Sequence, residues 1–162
     1  QGRKIQSIGT LSTYIIDCPC KLFKYYENGG IFYFCKDREN NLEYLIKEFK
    51  HKDILDLVLK GIDRNIYDQH ANKFDSILGL NKKTALDNYL KYNSNSQQIN
   101  FMGQKAVLVS LENEKKLFFS DDNFIASYEI IVSGQDSLSV NKFFYQSINS
   151  LMLKSENIKK VF

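Results

Sequence analysis

The sequence predicts an α+β fold in which helices pack on an antiparallel β-sheet. Asn28-Gly29, between two apolar-rich runs, indicates a β-hairpin. Apolar residues over 140–153 recur at helical spacing, and such a helix has to bury its apolar face against another layer. Strands and helices occur in groups rather than in strict alternation, which favours an antiparallel sheet. The chain of 162 residues fits one domain, 1–162, with tails at 1–10 and 155–162.

A β-meander is predicted near the start of the chain. Segment 13–17 is rich in β-branched and aromatic residues and predicts a strand, which Pro19 ends because proline cannot donate to a β-ladder. The hairpin follows. A polar turn at 37–41 then leads into a third strand at 42–49.

The hairpin loop predicts which side chains share a face. With Asn28-Gly29 as a two-residue type I′ turn, Tyr25 lies opposite Phe32. Both faces are then rich in apolar groups, so we expect the hairpin to be covered on both sides or to lie at a curled sheet edge. One face carries Phe23, Tyr25, Phe32 and Phe34, and the other carries Leu22, Lys24, Tyr26, Ile31, Tyr33 and Cys35.

Two helices are predicted between the meander and the later strands. Segment 53–72 is long and amphipathic, and a shorter helix at 84–92 opens with Thr84 and Asp87 as a weak capping box. The polar residues 93–98 predict an exposed loop. The apolar positions are Leu55, Val58, Leu59, Ile62 and Ile66 in the long helix, and Ala85, Leu86, Tyr89 and Leu90 in the short one.

The last part of the chain returns to strands and closes with a helix. Ser137 or Ser139 is the expected N-cap of the closing helix, 140–153. The strands are predicted at 99–102, 105–111, 117–120 and 124–132.

Composition and charge exclude several classes of protein. The net charge is +3, the isoelectric point is near 8.6 and no basic stripe is present, so no nucleic-acid partner is expected. No run of about 18 apolar residues could serve as a transmembrane segment. The sequence starts Gln1-Gly2-Arg3 without Met, which either a processed N-terminus or a trimmed chain would give. Of these we favour a mature secreted or periplasmic protein, with lipid anchoring through a removed N-terminal signal as one form of it.

Three hypotheses are compatible with the cysteines: a disulfide, a metal site or a catalytic nucleophile. The cysteines are Cys18, Cys20 and Cys35. In the predicted register Cys20 is only diagonal to Cys35, about 7–8 Å away between Cα atoms, so a disulfide requires a bulge. A zinc site would add His51 or His70, and a Cys–His pair would use the same histidines. Neither spacing is specific, so buried thiols at a strand end are the favoured interpretation, with no metal, cofactor or catalytic residue assigned.

Four segments resemble the PsbP-like family. These are 14–19, a strand ending in proline; the passage from 42–49 into 53–72; the Gly103 turn in 101–106; and the start of the closing helix, 142–148. The resemblance implies an α/β/α sandwich like that of small secreted bacterial members, with no shared catalytic set. This chain departs from the pattern in lacking a Trp after the opening proline and in an apparent insertion at 81–98. The alternative fold is an NTF2-like cone.

We therefore expect a non-catalytic binding or accessory module rather than an enzyme. Its partner would be a protein or a small ligand, with an identity that the sequence leaves unknown. The candidate contact residues are Tyr25 and Phe32, or Tyr26 and Tyr33, depending on which hairpin face is open. The alternative is a cryptic hydrolase or small-ligand carrier with an internal pocket.

Overall fold

The computed structural model describes residues 4–9, 14–27, 30–50, 86–120 and 126–153. The predicted helix 53–72, both histidines and the predicted tail 155–162 lie outside these residues. In chain order the elements are β1 Lys4–Ile8, β2 Tyr14–Cys18, β3 Phe23–Glu27, β4 Gly30–Asp37, β5 Leu42–Lys50, the helix α1 over 86–92, β6 Ser96–Phe101, β7 Gln104–Ser110, β8 Glu114–Ser120, β9 Ala126–Gly134, the helix α2 Ser137–Ser150 and β10 Met152–Leu153.

A seven-stranded antiparallel sheet with the order β3-β4-β5-β9-β8-β7-β6 is the central layer. It consists of two meanders, β3–β5 and β6–β9, that join where β5 pairs with β9. The junction runs from Leu42 opposite Gly134 to Lys50 opposite Ala126. At its first pair, a Cβ on Gly134 would approach the backbone oxygen of Asn41 to 2.7 Å, so only glycine fits there without a shift.

One face of this sheet, here called the inner face, carries the main core. It is covered by α2 and by a second, three-stranded sheet of the order β1-β2-β10. Alternate residues of β5, Leu42, Tyr44 and Ile46, point to this side and are fully buried, as period-two alternation requires. From the covering layer, α2 contributes Val140, Phe144 and Ile148, while β1 and β2 contribute Ile8, Tyr14, Ile16 and Cys18.

Two hydrogen bonds fix α2 to β2. The Ser147 hydroxyl donates to the Asp17 carbonyl over 2.9 Å, and the Asp17 N–H donates to the Ser150 hydroxyl oxygen over 2.9 Å. These groups lie more than 100 residues apart in sequence, so the C-terminal helix and the N-terminal strand stabilise each other directly.

The opposite, outer face carries a second and smaller apolar cluster. Leu86 of α1 packs against Val107, Val109 and Phe118. The Tyr89 ring stacks on the Phe118 ring with centroids 4.4 Å apart. The two described helices therefore lie on opposite faces of the seven-stranded sheet, and the inward positions predicted for the short helix are confirmed at Leu86, Tyr89 and Leu90.

The hairpin register and the strand at 42–49 are confirmed. Tyr25 lies opposite Phe32, Phe23 lies opposite Phe34, and β5 runs over Leu42–Lys50. The α+β class, with helices on a mostly antiparallel sheet, is also observed.

Two predictions of irregular structure are wrong. The first residues were expected to form a tail, yet Lys4–Ile8 is strand β1, which buries Ile8 and pairs with β2. The 93–98 segment was expected to be a loop, yet β6 begins at Ser96. Because β6 is at the edge of the sheet, polar side chains such as Gln97 and Gln98 stay in solvent while the backbone pairs with β7.

The closing helix has different ends from those predicted. Its N-cap is Asp136, not a serine: the Asp136 carboxylate accepts from the Leu138 N–H at 3.1 Å and from the Ser139 hydroxyl at 2.9 Å. The helix ends at Ser150, and Met152 and Leu153 pair with β2 instead. Apolar spacing alone did not distinguish this final strand from another helical turn.

Asp136→Ala is expected to lower the free energy of unfolding by about 1 kcal/mol, because the first N–H groups of α2 lose their acceptor. Ser137→Ala is the matched control and should change stability by less than about 0.5 kcal/mol, since Ser137 is exposed. Urea denaturation followed by circular dichroism measures both. An equal loss for the two variants would contradict the assignment of Asp136 as the cap.

Candidate functional site: the β3–β4 hairpin

Strand β3 forms one edge of the seven-stranded sheet and is exposed along its whole length. Within the described part of the chain, β4 is its only pairing neighbour. Phe23 is 68% exposed, Tyr26 72% and Tyr25 39%. Three large aromatic side chains on a five-residue edge strand make this the most apolar exposed strand among the described residues.

The structure distinguishes the two candidate faces of the hairpin. On the inner face Tyr33 is buried, at 4% exposure, so the predicted pair Tyr26 and Tyr33 does not form an open surface. On the outer face Phe32 is half-buried and its ring meets the Tyr25 ring edge-on, with centroids 5.4 Å apart. The face with accessible aromatic residues on both strands is therefore the outer one, with Phe23, Tyr25, Phe32 and Phe34, here called the aromatic face. Tyr26 is also exposed, but it lies on the inner side beside buried residues of β4.

A disulfide between Cys20 and Cys35 anchors the hairpin. The expectation that this pair would be too far apart is wrong, since the Cα atoms are 5.9 Å apart. The register argument failed because β3 begins at Phe23, so Cys20 lies in the preceding bend and not in the ladder. Gln6 of β1 holds the same bend, donating to the Cys20 carbonyl and accepting from the Leu22 N–H, each at 2.7 Å.

Cys18, the remaining cysteine, is outside the disulfide and is buried at the end of β2, as the favoured interpretation expected for a cysteine at a strand end. Among the residues that the structure describes, no group of three or more His, Cys, Asp and Glu is arranged to hold a metal ion. The zinc and Cys–His hypotheses also require His51 or His70, which fall outside the described residues.

A buried carboxylate, Glu48, lies beneath the hairpin in the main core. It is fully buried on the inner face of β5 and accepts a hydrogen bond from the Tyr128 hydroxyl at 3.0 Å. Tyr33 lies close by, and its hydroxyl oxygen accepts from the Gly9 N–H at 2.9 Å. Burial raises the pKa of Tyr33 to about 12; the Gly9 hydrogen bond opposes the shift and the Glu48 carboxylate adds to it.

Sequence reasoning missed Glu48, although strand parity could have found it. Leu42, Tyr44, Ile46 and Glu48 alternate along β5, so a strand whose apolar side faces the core also turns this glutamate inward. Because Glu48 is fully buried, a substrate could not reach it without rearrangement of the core. Glu48 and its neighbour Tyr33 therefore do not form an open reaction centre. Instead, the Tyr33 hydroxyl links the sheet to Gly9.

A polar contact on the outer face joins α1 to the sheet. The Tyr89 hydroxyl donates to Glu129 over 2.5 Å, and the Lys47 ammonium lies 3.5 Å from the other carboxylate oxygen. Burial, together with the hydrogen bond to the Glu129 carboxylate, raises the pKa of Tyr89 well above its ordinary value. The tyrosine therefore stays protonated and acts as a donor that fixes the helix.

A polar depression of about 250 Å³ lies at the end of the sheet opposite the hairpin loop. Lys36 and Glu43 project from neighbouring positions of β4 and β5 there, and both are exposed. The other lining residues are Asn41, Ser133, Gly134 and Gln135. These groups could hydrogen-bond a small polar molecule, but none of them is arranged as a nucleophile with its base.

Comparison with known proteins gives no relative: no family model, no curated protein and no solved structure matches this chain. Within the described ranges, no helix combines the length and the apolar character needed to cross a bilayer.

Replacing Cys20 and Cys35 together by alanine is expected to lower the free energy of unfolding by about 3 kcal/mol, because the bond closes a loop of 15 residues in the unfolded chain. A reductant should reproduce this loss in the wild type and leave the double variant unchanged. Cys18→Ala is the control: it keeps the Cys20–Cys35 disulfide, so reductant should lower its stability as much as it lowers that of the wild type. Denaturant unfolding with and without dithiothreitol measures these changes in stability. A wild-type unfolding midpoint that does not change with dithiothreitol would contradict the disulfide.

Stability should fall between pH 10 and about 12 in a way that depends on Tyr33. Its folded-state pKa is raised above the ordinary value of 10.0, so its contribution is complete below pH 10 and is lost as the pH rises through the folded value. Subtracting the unfolding free energies of Tyr33→Phe from those of the wild type isolates this residue from other groups that titrate at high pH. Tyr25→Phe, at an exposed position, is the control. A difference curve that is flat across this range would refute the assignment.

Proposed function

We propose that this protein is a non-catalytic binding or accessory module that contacts a protein partner through the aromatic face of its β3–β4 hairpin. One observation supports this above the others: Phe23 and Tyr25 project from an edge strand instead of entering the core. Tyrosine and phenylalanine are enriched in protein interfaces, where large aromatic side chains provide much of the binding free energy.

The hairpin is well suited to binding because it is held in place before a partner arrives. Three sets of contacts restrain it: the ladder with β4, the Cys20–Cys35 disulfide and the Gln6 hydrogen bonds. A rigid surface loses less conformational entropy on association than a flexible one. The same aromatic residues on a mobile loop would bind more weakly.

The disulfide also supports a secreted or periplasmic location. Disulfides form and persist in oxidising compartments and are rare in reducing ones. Cys20–Cys35 links residues 15 positions apart and anchors the hairpin, which fits a structural disulfide of an exported protein. We include in the proposal that the chain is exported with an N-terminal signal that is removed, and that a lipid anchor is one form of this export.

For the fold, we propose the PsbP-like α/β/α sandwich. Two observations support it: α1 and α2 lie on opposite faces of the seven-stranded sheet, and β2 ends at Cys18, directly before Pro19. The NTF2-like cone normally places its helices before the main sheet, whereas here β1–β5 come first.

The proposal is tested by measuring which variants retain a partner. The double variant Phe23→Ser/Tyr25→Ser removes the two side chains of the aromatic face that are exposed, and Tyr92→Ser is the matched control, because Tyr92 is 75% exposed on α1. Each protein is immobilised and exposed to envelope and secreted fractions of the producing organism, and bound proteins are quantified by mass spectrometry. A specific partner should bind the hairpin variant at least about tenfold more weakly than the wild type, and bind the control normally.

Two results would contradict the proposal. One is equal retention of every bound protein by the wild type, the hairpin variant and the Tyr92→Ser control. The other is turnover of ester, phosphate or peptide substrates by purified protein, at a rate unaffected by the hairpin variant. That second outcome would favour the hydrolase alternative.

A further inference from the structure

We propose that strand β3 pairs with β3 of a second copy of this chain, in antiparallel orientation, so that two seven-stranded sheets become one sheet across a twofold axis. This inference concerns the edge of the hairpin and its backbone, whereas the proposed function concerns the aromatic face. Each can therefore hold without the other.

The first argument is the set of backbone groups that β4 leaves unused. Glu27 and Gly30 are opposite each other and close a two-residue loop, and the pair that closes such a loop is a hydrogen-bonded pair. Hydrogen-bonded and non-hydrogen-bonded pairs alternate along an antiparallel ladder, so Tyr25 and Phe23 also bond to β4. Lys24 and Tyr26 then direct their N–H and C=O groups away from it, towards the free edge.

The second argument is that these groups match their own copy. If Tyr25 lies on the twofold axis, opposite the partner's Tyr25, then Lys24 lies opposite the partner's Tyr26. Each Lys24–Tyr26 pair can exchange two backbone hydrogen bonds, which gives four across the interface. Opposed residues in this register share a face, so the inner faces of both copies stay on one side and both cores remain covered.

The third argument is the side-chain complementarity in that register. Within one chain the Lys24 ammonium already lies 5.7 Å from the centre of the Tyr26 ring. Pairing places this cation beside the partner's Tyr26 ring as well, where a second cation–π contact can form. A shift of two residues in one direction would instead put Lys24 opposite the partner's Lys24, and like charges directly opposite destabilise a pair. The charges therefore favour the register centred on Tyr25 over the one centred on Lys24.

The two edges of the sheet differ in the apolar surface that they offer for pairing. Strand β6 carries Ser96, Gln97, Gln98 and Asn100, so its surface is polar. Strand β3 has aromatic residues at three of its five positions and two charged residues, Lys24 and Glu27. Pairing of β3 would therefore bury aromatic surface, whereas pairing of β6 would bury polar groups. This contrast favours β3 as the edge that pairs.

Self-pairing would also change the aromatic face. Phe23 and Tyr25 of one copy would continue into the same residues of the partner subunit, and a partner protein would meet twice the aromatic area.

Lys24→Pro is the main test. Proline removes the Lys24 N–H, which points to the free edge, so the ladder between β3 and β4 keeps its hydrogen bonds. Gln98→Pro is the matched control. The β6–β7 hairpin also closes with a two-residue loop, Met102-Gly103, so the Gln98 N–H points to the other free edge by the same alternation. Sedimentation velocity over a wide concentration series should show a wild-type dimer, a dimer constant at least about tenfold weaker for Lys24→Pro, and no change for Gln98→Pro.

A cross-link provides a second test that does not depend on how Lys24→Pro folds. Opposed residues of a non-hydrogen-bonded pair have Cβ atoms about 4.5–5.5 Å apart, so Tyr25→Cys should form an intermolecular disulfide under mild oxidation. Tyr92→Cys, exposed on α1, should not.

The results separate the two proposals. A wild type that stays monomeric at every concentration, with no Tyr25→Cys cross-link, overturns the self-pairing. A dimer that Lys24→Pro leaves unchanged overturns it too. If such a protein still retains a partner through Phe23 and Tyr25, the proposed function stands alone. If the protein forms the dimer but retains no partner, the self-pairing is supported and the proposed function is contradicted.

Discussion

The pairing of β5 with β9 is the contact on which the rest of this structure depends. It joins two meanders that could each form locally, and it brings together groups such as Glu48 and Tyr128 that lie 80 residues apart in sequence. It also decides which side chains face the core. A slip of one residue would turn Leu42, Tyr44 and Ile46 outward and would expose their apolar surface to water. The close approach of Gly134 to Asn41 fixes one end of this junction.

From this junction outward, the sheet becomes less covered towards the hairpin. Strands β5 and β9 have α2 and the three-stranded sheet over their inner face, while β3 is exposed along its whole length. An exposed strand of aromatic residues would be a weak point in a small domain. The Cys20–Cys35 disulfide and the Gln6 hydrogen bonds compensate by fixing the bend that leads into the hairpin. Rigidity and accessibility are thus combined in one element.

The features that the sequence predicted well are those set by neighbouring residues. Asn28-Gly29 defines a loop length, and loop length fixes the pairing of Tyr25 with Phe32. The apolar period of the closing helix survives in Val140, Phe144 and Ile148. The short helix places Leu86 inward for the same reason. In each case the deciding interactions span only a few positions.

The features that were missed depend on residues distant in sequence or on the exact position at which a strand starts. The disulfide forms because the chain bends before β3, and the β1 side chain Gln6 helps to hold that bend. Strand β10 extends because β2 offers it a partner, and β6 is a strand because β7 does. Glu48 is buried because the β5–β9 junction brings Tyr128 opposite it. The open face of the hairpin follows from which side of the sheet is covered, which no local pattern encodes.

The two hydrogen bonds between α2 and β2 affect how the chain folds during synthesis. The hydroxyl groups of Ser147 and Ser150 bind a strand that leaves the ribosome more than 100 residues earlier. The N-terminal layer therefore has no complete partner until the end of α2 has been translated, and folding cannot proceed stepwise from the first residue. High contact order of this kind slows folding.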